Sequence, residues 1–240
     1  MAPLIQVNSG WAHLSPGTPA VDVCILPAGA DPVGPVLKSL GDTDGLAYPE
    51  VTPYLPLAAG TYGARIVAPN SADCSKALAD LPDITGIQVK AGGVYTAAAT
   101  GVLIDPGASD KAFAVELYED DLTIATGSIR VRFIHASPDT PPVDVGLGSG
   151  TEFTPVWTNV AYPDIGLVGG KPYLETAPLT DATLSARASG TTADALVLPG
   201  VSIPADSVVT VFAIGNLDGM PEPLKVRACF DGKDTCVTLP

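Results

Sequence analysis

The chain repeats itself, and this limits its possible folds more than any other feature. His13-Leu14-Ser15-Pro16-Gly17-Thr18-Pro19-Ala20-Val21-Asp22-Val23 returns as His135-Ala136-Ser137-Pro138-Asp139-Thr140-Pro141-Pro142-Val143-Asp144-Val145. Both copies read H-x-S-P-x-T-P-x-V-D-V. A duplication this ordered implies one structural unit built twice. Two fainter echoes follow: Ala47-Tyr48-Pro49 with Ala161-Tyr162-Pro163, and residues 95–101 with 209–215. The offset falls from 122 (13 to 135) to 114 (47 to 161), so the first copy carries extra residues in the Gly/Pro-rich stretch after Cys24. Two domains are expected, 1–122 and 123–240, each near the usual domain size. The acidic run at Glu119 and the Ala125-Thr126-Gly127-Ser128 stretch read as a linker between them.

Within each copy, short alternating runs are separated by turn residues, the pattern of half-buried strands. The first copy yields strands at 5–13, 21–26, 54–57, 60–67, 84–89, 94–101 and 113–118; the second at 129–135, 143–147, 173–176, 182–188, 208–215 and 224–230. Gly (25) and Pro (24) are spread along the chain, while helix-favouring residues are scarce. Roughly seven strands per copy predict an all-β fold of two tandem immunoglobulin-like antiparallel β-sandwiches. Residues 77–81 are the one place where a helical turn is expected.

The formal net charge of −14 argues against nucleic acid and anionic membrane surfaces as partners. Nor does any stretch reach the ~20 apolar residues of a membrane span. Four cysteines, Cys24, Cys74, Cys229 and Cys236, lack the paired spacing of a zinc site. They read as disulfides, which places the protein in an oxidising compartment. Three connectivities exist; Cys24–Cys74 with Cys229–Cys236 is favoured because each bond then stays inside one copy. Asp231-Gly232 supplies a turn between the last two cysteines, so a hairpin would bring their sulfurs together. No basic region followed by an apolar stretch opens the chain, so an exported protein's signal peptide is expected to be missing from this sequence.

The signature resembles that of the bacterial family called domain of unknown function 4397. The second copy matches it at His135, Ser137, Pro138, Asp139, Pro141, Val143, Asp144 and Val145; the first departs at Gly17, where the family has Asp. The resemblance covers most of the chain. It implies a secreted or cell-surface protein with an immunoglobulin-like fold and tandem copies, similar to two-copy members in myxobacteria, and it carries no established activity.

Three sets of residues are candidates for chemistry. His13, Ser15, Pro16 and Asp22, with His135, Ser137, Pro138, Asp139 and Asp144, form the signature. A His beside a carboxylate can act as a general base, but Ser-Pro-Asp is also turn chemistry. Ser137 precedes a proline and lacks a nucleophile elbow, so a structural role is expected. Glu119, Asp120 and Asp121 are weak candidates for calcium, a hard cation that takes six to eight oxygens; no other cofactor is implied. Tyr48, Tyr54, Tyr162 and Tyr173, with Trp157, are candidates for an exposed carbohydrate-binding face. The expected function is a non-enzymatic structural, adhesion or protein-interaction module outside the cytoplasm. Its partner would be a protein or envelope component, and self-association through edge strands is open to it. The alternative is a carbohydrate- or calcium-binding surface module.

Overall fold

The structure is a computed structural model that describes residues 6–103, 111–233 and 235–240. Ile5, where the first strand is expected to begin, lies outside them. The chain divides into two compact units, Met1–Ala99 with Phe113–Asp121, and Thr100–Ala112 with Leu122–Pro240. Both are all-β.

The first unit contains β1 (Gln6–His13), β2 (Asp22–Pro27), a short helix α1 (Val36–Ser39), β3 (Leu55–Ala58), β4 (Gly60–Val67), β5 (Ile84–Val89), β6 (Val94–Thr100) and β7 (Ala114–Asp120). One sheet runs β3-β1-β6-β7 and the other β2-β4-β5. The second unit contains β8 (Ile129–His135), β9 (Val143–Leu147), β10 (Thr154–Val160), β11 (Leu174–Thr176), β12 (Leu179–Ala188), β13 (Asp194–Ile203), β14 (Ser207–Ile214), β15 (Lys225–Phe230) and β16 (Thr235–Leu239). Its sheets run β11-β8-β14-β15-β16 and β10-β9-β12-β13. The strand orders repeat. β1, β2, β3, β4, β5, β6 and β7 take the places of β8, β9, β11, β12, β13, β14 and β15. The second unit adds β16 at one edge, and β10 where the first has α1.

Alternation along the strands builds the cores. On β8, Ile129, Val131 and Phe133 pack with Val143, Trp157, Val160, Ile203 and Val209. In the first unit Val21, Val23, Leu37, Leu46, Ala64 and Ile66 form the counterpart, with Trp11, Leu78 and Leu81 against them. Residues 77–81, read as a helical turn, contain a 3-10 turn at Leu78–Asp80.

The structure departs from the sequence reading in several places: β10 and β13 stand where no strand is expected, residues 100–112 group with the second unit, and strand pairing and the linker also differ. The opening strand of each unit pairs in parallel with the sixth strand of the repeat, His13 beside Ala99 and His135 beside Ala213. A parallel pair needs a long crossover, and here the opposite sheet supplies it. The linker also begins later than expected, because Glu119 and Asp120 are the last residues of β7.

Both disulfides lie within a unit, Cys24–Cys74 and Cys229–Cys236. The second closes the β15–β16 hairpin, where its two cysteines are directly opposite. Among the described residues no helix is long and apolar enough to cross a membrane.

Candidate functional site

The signature lies at one corner of each unit, where β1 ends beside β6 and β8 ends beside β14. The His13 and His135 side chains are completely buried. Each is held by its backbone first: His13 N–H donates to the Glu50 carbonyl and His135 N–H to that of Asp164. The next residue then donates across the parallel pair, Leu14 to Ala99 and Ala136 to Ala213. The imidazole Nε2 donates to a proline carbonyl further along the signature, Pro19 at 3.0 Å or Pro141 at 3.3 Å. That fixes the tautomer with Nδ1 unprotonated. In the second unit Nδ1 accepts a long 3.4 Å bond from Ser137 N–H; His13 Nδ1 is buried without a partner. The edge of each ring meets a tyrosine, Tyr48 or Tyr162, with centroids 6.2 and 6.3 Å apart. Burial pushes both imidazoles below their ordinary pKa, against the Pro19 and Pro141 carbonyls, which favour the charged ring.

The serines close the turn. Ser137 Oγ donates to the Gly215 carbonyl at 2.6 Å and accepts from Thr140 Oγ1 at 2.5 Å. Ser15 and Thr18 repeat the hydroxyl pair at 2.6 Å. Pro16 and Pro138 preset the backbone between them. Asp139 reaches over the loop after β14, accepting from Leu217 N–H at 2.7 Å and Asp218 N–H at 3.2 Å. Gly17, at φ +74°, replaces it in the first copy.

The second aspartate of each signature pins the chain that follows. Asp22 is fully buried. Its Oδ1 accepts from Val23 N–H (2.7 Å) and Leu37 N–H (2.9 Å), and its Oδ2 from Lys38 N–H (2.9 Å). It therefore satisfies the amides that open α1, donors that no intrahelical bond can serve. Asp144 does related work without a helix. It accepts from Asn159 N–H on β10 (2.8 Å), Ser189 Oγ (2.9 Å) and Gly190 N–H (3.4 Å). Burial pushes its carboxyl upward, but these donors and Arg187 outweigh burial and hold it below the usual range.

As a chemical device the corner is closed. Its histidine is neutral and enclosed, its serine hydroxyl is engaged by the neighbouring threonine in both copies and by the Gly215 carbonyl in the second, and its carboxylates face amides. The two copies do the same work with different partners.

The other candidates are placed elsewhere. Asp120 is buried, and its Oδ2 accepts from Tyr54 Oη (2.8 Å) and Thr96 Oγ1 (2.7 Å). Glu119 is exposed and lies 3.8 Å from Lys90 Nζ; Asp121 is exposed beyond the end of β7. Among the described residues no group of three or more His, Cys, Asp or Glu is placed to hold a metal ion. The candidate aromatics are buried or half-buried, as core and corner residues are. Trp157 packs on Phe133 at 6.0 Å, Tyr173 is buried under the guanidinium groups of Arg130 and Arg132, and Tyr54 bonds Asp120. Burying a tyrosine or tryptophan ring stabilises the fold more than leaving it in water.

Sequence reading missed Arg132, which is fully buried. It donates to Thr210 Oγ1 at 2.8 Å, and Thr210 donates in turn to Asp231 at 2.7 Å. In the first unit Thr96 pairs with Asp120 much as Thr210 pairs with Asp231, Gly10 stands at the repeat position of Arg132, and Tyr54 Oη also donates to Asp120. Gly10 leaves the tyrosine room: a Cβ there would lie 3.4 Å from the Tyr54 ring. The alternation of β8, with Arg130 and Arg132 on the face opposite Ile129, Val131 and Phe133, was the available signal.

A family model described as domain of unknown function (DUF4397) matches residues 11–146, a span that includes both signatures. No curated protein matches the chain. Among solved structures, a fimbrial assembly protein from Parabacteroides distasonis is 12% identical, with 98% of this chain and 99% of that one covered, at a TM-score of 0.29. The fimbrial anchor protein Mfa2 from Porphyromonas gingivalis is 11% identical, with 98% and 100% covered, at a TM-score of 0.26. Likenesses this shallow carry no argument about how the chain works.

Proposed function

The chain belongs to the family described as domain of unknown function DUF4397, and from that premise we propose that it is a non-enzymatic module acting outside the cytoplasm through protein contact. The observation that carries this reading is the closed signature corner. In both copies the residues that resemble catalytic groups are engaged in holding turns, so the duplicated part of the chain is scaffold. Two disulfides support an oxidising compartment.

The contact surface on this reading is an edge strand. Among the edge strands, β5 and β16 are each paired in a sheet on one side only. Such edges can accept a strand from another chain, with main-chain bonds supplying affinity. Sedimentation of the full chain, together with its binding to cell-envelope fractions, tests the proposal. Self-association or saturable envelope binding that weakens on Thr238→Pro at the β16 edge is expected. A strictly monomeric chain that binds no envelope component would overturn it. Four free thiols in freshly isolated native protein would overturn the location.

A further inference from the structure

The second unit contains a feature its sequence did not announce. Its two sheets part along the side where β13 ends one sheet and β15–β16 end the other. Between them lies a cavity of about 570 Å³, within the size range of small-molecule sites. Val145, Ala186 and Leu198 line it from one sheet, and Val211, Ala213 and Ala228 from the other. Its lining holds no charged side chain, and its only hydroxyls are those of Thr140, Ser185 and Ser202. Large apolar side chains mark its mouth: Val197, Leu217 and Val237 line the cavity and are 42%, 49% and 43% exposed.

The cavity opens to solvent at this mouth, so water or a ligand must occupy it, and walls this apolar are poorly suited to water. The first unit shows what the space requires. There the chain between β4 and β5 carries Leu78 and Leu81 into the counterpart interior, beside Ile84, Phe113 and Val115. In the second unit β12 turns directly into β13 at residues 189–193, so no such segment exists. The filler is missing and the apolar walls remain.

Two observations decide what fills the cavity. A strand laid along β13 would need a regular ladder to pair with. Pro199 has no N–H, Gly200 sits at φ +74°, and the β12–β13 register shifts between Ala182 and Leu184. Such an edge is a poor template. The occupant therefore makes no main-chain ladder with β13, and the lining offers almost nothing else to bond. The net charge of −14 further disfavours an anionic head group.

We propose that this cavity binds a single uncharged aliphatic chain, of the long-chain alcohol class, with its tail between the two sheets. The test is titration of the full chain with the uncharged dye N-phenyl-1-naphthylamine, which brightens in apolar surroundings, followed by competition with 1-dodecanol. Saturable binding of one dye per chain, reversed by the alcohol, is expected. Ala228→Phe and Ala186→Phe fill the cavity from opposite walls, and each should weaken dye binding by about tenfold or more. Val197→Asp sets a carboxylate at the exposed mouth, where folding is not at risk, and should do the same. Absence of saturable binding, or binding that none of the three variants alters, would overturn the proposal. So would a concentration-dependent dimer abolished by Val197→Asp without dye binding, which would assign the cavity to a segment of a second copy.

Discussion

Replacing Asp22 tests the view that the signature is a structural fastening. Its carboxylate accepts three main-chain bonds of 2.7–2.9 Å, two of them from the amides that open α1. Bonds to a charged acceptor contribute about 1.5–3 kcal/mol each. Asp22→Ala removes all three and loosens Leu37, which α1 holds in the core. Water reaching the partly buried Lys38 amide offsets some of this, leaving an expected loss of about 3–5 kcal/mol. Asp22→Asn keeps Oδ1 but turns an NH2 toward the Lys38 amide, so about 1.5–3 kcal/mol is expected. The chain has two tryptophans, and Trp11 packs in the first unit while Trp157 packs in the second. Urea unfolding followed by Trp11 fluorescence, in a Trp157→Phe background, isolates the first unit. At about 1.5 kcal/mol per molar urea, Asp22→Ala should lower the midpoint by about 2–3 M. A change below about 1 kcal/mol would refute the reasoning, as would an Asn variant that unfolds like the parent.

The remaining predictions concern pH, redox state and backbone. His13 and His135 titrate lower folded than unfolded, so the unfolded chain binds more protons below about 6.5. Melting temperature should fall from pH 7 to pH 5, and the fall should flatten in a His13→Asn/His135→Asn double variant; an unchanged slope would count against the buried neutral rings. Asp144 titrates below its ordinary value, so its stabilisation is present above about pH 4 and is lost as pH falls through its lowered folded value; Asp144→Asn should flatten acid unfolding there. Loop closure over separations of 50 and 7 residues predicts losses of about 4 kcal/mol for Cys24→Ala/Cys74→Ala and about 2.4 kcal/mol for Cys229→Ala/Cys236→Ala; calorimetry showing the reverse order would contradict this account. Gly215 has φ +81°, and a Cβ there would collide with the Pro223 carbonyl, so Gly215→Ala should cost about 2–4 kcal/mol in the second unit's urea transition.

Much of the fold was legible because alternation and turn residues are local signals. Ile129, Val131 and Phe133 on one face of β8, and Asp231-Gly232 at the last hairpin, could be read directly. β13 was not, because Pro199-Gly200 in its middle looks like a turn; the strand survives because it lies at a sheet edge, where a missing N–H costs no ladder bond. β10 hid behind Pro155 in the same way. The parallel pairing of β1 with β6 joins distant residues and leaves no local pattern. At the signature, the proline and hydroxyl residues announced turn chemistry. The partners of Asp22 and Asp139 did not announce themselves, since α1 and the 217–218 loop are brought to them only by the completed fold. The cavity was illegible for a further reason: it comes from a short β12–β13 connection, so no residue marks it.

The parallel pair has a temporal consequence. Asn8 lies beside Val94, and Ile129 beside Ser207, so the strand made first in each unit must wait for one of the last before its ladder can form. Contacts this remote in sequence slow folding. Each unit is therefore incomplete until nearly all of its own chain is available.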